Sequence, residues 1–343
     1  MTTPSSGDTG TLIFGQADVA RLLDIGSCIR VVKASLIEQD KGRAIGPAVL
    51  GLHADAGSFH VKAGGLRLHR LYVAAKINAN FPTNPDRFGL PTIQGMIGLF
   101  DGGNGRLLAV LDSIEITAKR TAAMTAVAAM HLALPDAEVV AIIGCGVQGR
   151  HQLRALKEVL PLELALVVDR DPKVAAAFAD ELAAELGIEI RVEATIARAT
   201  RCADVCVTCT PARAALLGLA DVRPGAFIAA VGADNPEKQE LAPDLMAAST
   251  VVVDHLEQCM EGGDLRHAIQ AGAMRAADVH GELAAIVAGR KPGRRRPGEI
   301  AIFDSTGTAL QDVAAAACVF EAALASGQAC RVDFAGSIGG PGC

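Results

Sequence analysis

Between residues 137 and 255 short apolar runs alternate with helical patterns, and this alternation limits the chain to few folds. "AEVVAIIG" (137–144), "LALVVD" (164–169), "IEIRVEA" (188–194), "ADVCVTCT" (203–210), "GAFIAAVG" (225–232) and "TVVVDH" (250–255) read as strands. "GRHQLRALKEVL" (149–160) and "PKVAAAFADELAAELG" (172–187) read as the helices that cross between them. Strands joined by crossover helices make a parallel sheet covered on both faces.

The first third has another texture. "FHVKAG" (59–64), "LYVAAKINANF" (71–81), "GMIGLFD" (95–101) and "LLAVLDS" (107–113) are strand-like, and Gly102 to Gly105 supply a hairpin turn between the last two. One early helix, residues 18–42, is expected to break near Gly26, and an Ala-rich helix follows at 117–134. After residue 300 come one strand, a glycine turn and a long helix, which is expected to pack back on the first part. The fold class expected is therefore α/β. A doubly wound, Rossmann-type domain (123–307) is inserted in a strand-rich α+β domain (1–122 plus 308–343).

A length of 343 residues suits roughly two domains, and 50% hydrophobic against 20% charged residues allows a large core. A net charge of -6, without Trp and with Tyr72 as the one tyrosine, argues against a nucleic-acid partner. Arg290 to Arg296 is basic but lies among Pro and Gly, and reads as an exposed loop. No run of about 18 apolar residues stands out, so no membrane span is expected. Nine cysteines, an odd count, without a targeting pattern at the polar N-terminus, suggest reduced thiols in the cytoplasm. Cys202, Cys206 and Cys209 invite a metal reading, but they fall on a core strand with no partner cluster; small buried side chains explain them better, and no metal is expected.

"VVAIIGCGVQGRHQL" places Gly144, Gly146 and Gly149 in a G-x-G-x-x-G pattern after a strand and at the start of a helix. In that setting the first glycine makes the turn, the second lets backbone approach a pyrophosphate and the third lets helix pack on strand, with Val147 and Gln148 at the helix start. The helix N-terminus offers unpaired N–H groups to an anion. Asp169, twenty residues on, suits the ribose hydroxyls and favours NAD; Arg170 and Arg154 leave NADP possible. Further along, "VGADNPEKQEL" (231–241) delivers Asp234 off the end of an apolar strand, either as a turn former or as a base facing a ligand crevice.

"LPTIQGMIGLFDGGNGRLLAVLDSIEITAKRTAAMTAVAA", "IIGCGVQGRHQL", "VGADNPEKQEL" and "FDSTGTALQD" resemble, in order and spacing, the ornithine cyclodeaminase/μ-crystallin family over about residues 30 to 325. The resemblance implies a nicotinamide-binding domain, a second domain that binds substrate and builds a homodimer, and hydride transfer at the α-carbon of a small amino or imino acid. It implies that Arg120 grips the substrate carboxylate, that Lys76 contacts the same carboxylate and the reacting nitrogen, and that Asp234 manages a proton. Thr92, Thr121 and Ser305 fall where cofactor or substrate is touched. Lys238 is either a cofactor contact or a solvated helix start.

One departure bears on substrate. Ornithine-specific members carry a third carboxylate-binding arginine, whose place here falls at Val49 in a simple alignment or at Arg43 if a gap is allowed, while Lys62 appears where they are uncharged. Lys62 either replaces that charge or is a surface lysine; His60, two residues away, is a second polar contact or a packed histidine. The resemblance thus leaves three activities open: an NAD(P)H-dependent reductase of an α-imino acid or cyclic ketimine such as pyrroline-2-carboxylate (or the reverse dehydrogenase), an ornithine or lysine cyclodeaminase that recycles NAD, and a catalytically idle NAD(P)-binding protein.

Overall fold

The computed structural model describes residues 10–327 and 330–334. The polar N-terminal stretch 1–9 and Cys343 lie outside the described residues. The chain forms two compact units: Met1–Val31, Lys41–Thr117 and Ala309–Cys343 make one, and Val32–Asp40 with Ala118–Thr308 make the other. The helices Ile25–Asp40 and Ser113–Leu132 contribute residues to both.

The first unit is a seven-stranded sheet. Its order is Cys330–Val332, Thr11–Phe14, Leu107–Asp112, Ile93–Asp101, Leu71–Asn80, Gly57–Arg67 and Ala44–Ala54. Thr11–Phe14 runs parallel to Leu107–Asp112, and all other pairs are antiparallel. The edge strand Ala44–Ala54 is absent from the sequence reading. Gly46 (φ +78°), Pro47 and Gly51 interrupt its pattern, and Val49, Leu50 and Leu52 are more than half exposed, so no inward–outward alternation marks it.

The helix Ala309–Ser326 lies on this sheet, where Gly64 lets it approach: a Cβ there would stand 3.2 Å from the Ala309 Cβ. By length and composition this helix is apolar enough to cross a membrane, which corrects the expectation that no such segment exists. It is 67% buried, as a core helix is, and it carries the buried polar residues Gln311 and Asp312. The early helical segment is two helices, Gln16–Leu22 and Ile25–Asp40; the break comes at Leu23, just ahead of Gly26.

The second unit is an eight-stranded parallel sheet. Its order is Gly281–Glu282, Thr250–Val253, Ala301–Asp304, Phe227–Ala230, Val205–Thr208, Val139–Ile143, Leu164–Val168 and Glu189–Val192. The winding reverses between Val139–Ile143 and Val205–Thr208. That switch point is where an open α/β sheet leaves a crevice at the carboxyl ends of its strands. Cys206 is fully buried in the core, its thiol pushed up to about 12 by loss of water, and the eight described cysteines are free. Among the described residues no group of His, Cys, Asp and Glu is arranged to hold a metal. The basic loop is exposed at Arg290, Lys291, Arg295 and Arg296, while Arg294 turns inward and donates to the carbonyls of Leu132 (2.7 Å) and Glu299 (2.6 Å).

Candidate active site

At the switch point the strand Val139–Ile143 ends in Gly144, whose φ of +103° excludes an ordinary side chain. Gly146 precedes the helix Val147–Lys157, and a Cβ there would meet nothing within 4 Å. A Cβ on Gly149 would collide with the Gly144 carbonyl oxygen. The three glycines thus do three jobs: a turn, an open approach, and close packing. No side chain caps the helix start, Val147 is 62% exposed, and the Gln148 Oε1 is buried without a hydrogen bond.

Asp169 follows the adjacent strand Leu164–Val168. Its Oδ2 accepts the Cys145 N–H at 2.8 Å and its Oδ1 the Asp171 N–H at 3.0 Å, so the carboxylate is fixed beside the glycine turn. Gly144, Gly146, Asp169, Arg170, Cys209 and Thr210 line a cleft of about 920 Å³. Arg170 is exposed at its rim. Arg154 is committed elsewhere, with Nη2 2.9 Å from Glu181 and 2.6 Å from Glu185.

Asp234 comes four residues after the strand Phe227–Ala230 ends. Its side chain is half exposed, and its Oδ1 accepts from the Lys238 Nζ at 2.8 Å and the Asn235 Nδ2 at 3.2 Å. Lys238 opens no helix, contrary to one of its two readings. Its N–H closes a turn on the Asn235 carbonyl (3.2 Å), and the short strand Gln239–Leu241 follows.

Sequence reasoning missed the buried acids behind these loops. Glu240 accepts the Thr210 N–H (2.6 Å), the Thr210 hydroxyl (2.7 Å) and the Gly232 N–H (2.9 Å), tying together the ends of two neighbouring strands. Asp264 accepts the N–H groups of Glu240 and Leu241, and Asp304 those of Asp264 and Leu265. Burial, then the nearby Asp264 charge, pushes the Glu240 carboxyl up to about 7. Asp264 is pushed up to about 6 by burial, and Asp304 is raised well above the usual carboxylate range for the same reason. Each is a lone acid within a strand or at the start of a helix, so no spacing announces them. Arg120 and Thr121 belong to this unit; Arg120 is 5% exposed and lies against Gly307, while Ser305 is buried in the same turn.

In the first unit, Lys62 and Lys76 are direct cross-strand partners, and Val49 is the partner of Lys62 on its other side. Residues paired in register share a sheet face. Lys62 therefore stands in the same row as the position where the ornithine-specific arginine would fall. Lys76 is 4% exposed and its Nζ lies 2.7 Å from the Asp312 Oδ2 and 3.4 Å from the Thr117 Oγ1. His60 is paired in register with Gly51 and Asn78, and its Nε2 is 3.1 Å from the Ser58 Oγ. Thr92 is half-buried, its carbonyl accepting the Phe81 N–H at 2.8 Å.

Three solved structures are similar to this chain over most of its length. An archaeal alanine dehydrogenase dimer with bound NAD is 35% identical (TM-score 0.90; 94% of this chain and 99% of that one). A Δ1-pyrroline-2-carboxylate reductase from Thermococcus litoralis, in complex with NADH and L-proline, is 33% identical (0.90; 94% and 100%). The iminosuccinate reductase of Paracoccus denitrificans, in complex with NAD⁺, is 32% identical (0.89; 95% and 100%). The model of the ornithine cyclodeaminase/mu-crystallin family matches residues 10–327. With its doubly wound sheet, its glycine turn and its row of lysines on a second sheet, this chain belongs to the ornithine cyclodeaminase/mu-crystallin family.

Proposed function

We propose that this chain is an NAD(P)H-dependent reductase of a small α-imino acid or cyclic ketimine, or runs the reverse amino acid dehydrogenation. The observation that carries the reading is the open approach at Gly146, beside an uncapped helix start and the Asp169 carboxylate. It occurs in a chain similar end to end to three NAD- or NADH-bound proteins that are named for alanine, pyrroline-2-carboxylate and iminosuccinate.

The glycine turn and the N–H groups at Val147 and Gln148 would hold the pyrophosphate. Asp169 would accept the ribose hydroxyls. With Arg154 held by two glutamates, Arg170 is, among the described residues, the one basic side chain lining that cleft, which supports NAD over NADP. Thr92, Thr121, Lys238 and Ser305 are the further cofactor contacts we assign. When bound, the nicotinamide exchanges a hydride with the substrate α-carbon.

The chain's own residues do the rest. Arg120 holds the substrate carboxylate, for which a planar guanidinium offers two parallel hydrogen bonds. Lys76 and Lys62 add positive charge on the substrate-binding unit, with His60 in the adjoining register pair. Asp234, 2.8 Å from the Lys238 Nζ, takes a proton from the substrate ammonium in oxidation and returns one to nitrogen in reduction. The first unit is also the surface we assign to a homodimer. Leu50, Leu52, Phe59, Ile77 and Met96 expose apolar side chains on one face of adjoining strands, as a face covered by a second copy would. The free thiols support a reducing, cytoplasmic setting.

The test is direct. NADH is incubated with Δ1-pyrroline-2-carboxylate, and separately with pyruvate plus ammonia; NAD⁺ is incubated with ornithine. Net loss of NADH absorbance with an imine supports the reductase. Proline and ammonia from ornithine, without net NADH, would replace it with a cyclodeaminase. Cofactor binding with no turnover on any of them would favour the idle protein. In an active enzyme Asp234→Asn should lower kcat by about 10²–10⁴-fold and leave NADH binding intact, the range for a lost proton-transfer group.

A further inference from the structure

The turn after the strand Ala301–Asp304 has an anchor that the proposed chemistry leaves unused. Asp254 stands at the end of the neighbouring parallel strand Thr250–Val253 and is 1% exposed. Its Oδ2 accepts the Ser305 hydroxyl at 2.9 Å and the Gly307 N–H at 2.6 Å. Its Oδ1 accepts the His255 N–H at 2.8 Å, the Cys259 S–H at 3.3 Å and the Thr306 hydroxyl at 3.5 Å. Five donors from two loops converge on one carboxylate, more than a helix cap or a simple turn requires.

Gly307 is the link to the site. It has a φ of +76°, and a Cβ built on it would stand 3.0 Å from the Arg120 Nη2, 3.1 Å from its Cζ, and closer still to its Nη1. The guanidinium therefore lies against a bare α-carbon, and glycine is needed there both for its backbone angle and for its missing side chain. A bidentate clamp works only if the plane of the guanidinium is held, because its bonds to a carboxylate are directional.

We propose that Asp254 is a positioning residue for Arg120: it fixes Gly307, and Gly307 is the wall that sets the guanidinium plane to receive the substrate carboxylate. The inference rests on the reading of Arg120 as the carboxylate clamp. An asparagine at 254 keeps the shape but gives one face of the group to an NH₂. That face then points a donor at the donors it formerly accepted, and the turn must shift.

The test measures binding of pyrrole-2-carboxylate, a carboxylate that cannot be reduced by the cofactor, to the NADH-loaded protein by calorimetry. Arg120→Lys should weaken it by about tenfold or more, since two parallel hydrogen bonds become one point charge. Asp254→Asn should weaken it by about tenfold and weaken NADH less, because Ser305 in the shifted turn is one of several cofactor contacts we assign. The double variant should bind no worse than Arg120→Lys alone, the signature of two residues acting through one interaction. In turnover, KM for the imine should rise more than kcat falls.

If Asp254→Asn does not fold, Gly307→Ala disturbs the same wall from the other side and should give the same loss. The inference is overturned if Arg120→Lys loses affinity while the folded Asp254→Asn, or Gly307→Ala in its place, binds like the parent, or if the two losses simply add. If Arg120→Lys itself leaves affinity unchanged, the clamp reading has failed and the positioning role fails with it.

Discussion

At the carboxyl edge of the parallel sheet, Glu240, Asp254, Asp264 and Asp304 are all buried and accept hydrogen bonds from backbone N–H groups and, at Glu240 and Asp254, from hydroxyls. On the seven-stranded sheet the buried charge is of the other sign and is met differently: the Lys76 ammonium lies 2.7 Å from the buried Asp312 carboxylate. A carboxyl that fastens loops through N–H donors can gain a proton and still accept hydrogen bonds. A buried ammonium facing a carboxylate has no such latitude, because removing either partner leaves a charge without water or counterion. The first region should respond to pH, the second to deletion of charge.

The largest effect expected from that contrast is on the ion pair. Lys76→Ala should destabilise the protein by about 3–5 kcal/mol, the range for breaking a buried pair from one side. Lys76→Ala combined with Asp312→Ala should recover part of that loss, since the stranded carboxylate is then gone. Denaturant midpoints of the two variants check it. If the double variant is no more stable than the single one, Lys76 is held by something other than Asp312, and the contrast between the two regions weakens.

Glu240 tests the opposite behaviour. Its carboxyl is raised from 4.5 in the unfolded chain to about 7 in the folded protein. Below the lower value both states carry the proton and the fold keeps its full stability. Between the two values the unfolded chain ionises while the folded one resists, so stability falls as pH rises. The loss amounts to about 2–3 kcal/mol over that window for a shift of this size. Asp264, raised to about 6, acts in the same direction. The melting temperature should therefore decline from mildly acid to neutral pH, and Glu240→Gln should flatten the decline while costing stability at acid pH. A melting temperature that climbs steadily to neutral pH would mean that these carboxyls stay ionised in the fold.

The two regions also differ in what the amino-acid order discloses. The glycine turn could be read because three positions each need a missing side chain at a fixed spacing, and the backbone angles and contacts at Gly144, Gly146 and Gly149 supply the three reasons. The strands of the parallel sheet could be read because burial on both faces keeps them apolar. The acid network could not. Asp254, Asp264 and Asp304 bind main-chain groups far away in sequence, and any lone acid looks the same until the chain is folded. The edge strand Ala44–Ala54 escaped because exposure of Val49, Leu50 and Leu52 removes the alternation that marks a half-buried strand. The alignment of Val49 with Lys62 depended on that same strand, so the meaning of the lysine was hidden until the register was known.

That register gives the smallest but most specific expectation. Lys62 sits between Val49 and Lys76 in one cross-strand row, so a cation at either 49 or 62 presents its charge to nearly the same part of the sheet face. The sequence resemblance places the ornithine-type cation at the first position; this chain has a lysine at the second. Two ammonium groups directly opposite one another repel. Asp312 offsets one of the two charges, and a substrate carboxylate would favour a cation at the other. Lys62→Val should then raise KM for the imino acid by about tenfold, the worth of one charge-assisted hydrogen bond, and leave kcat and NADH binding nearly unchanged. Adding Val49→Arg to that variant should restore part of the loss, since the charge returns to the same row one strand away. An unaltered KM in Lys62→Val would make the lysine part of the solvated surface. A loss that Val49→Arg fails to restore would show that the substrate reads the position of this cation and not merely its sign.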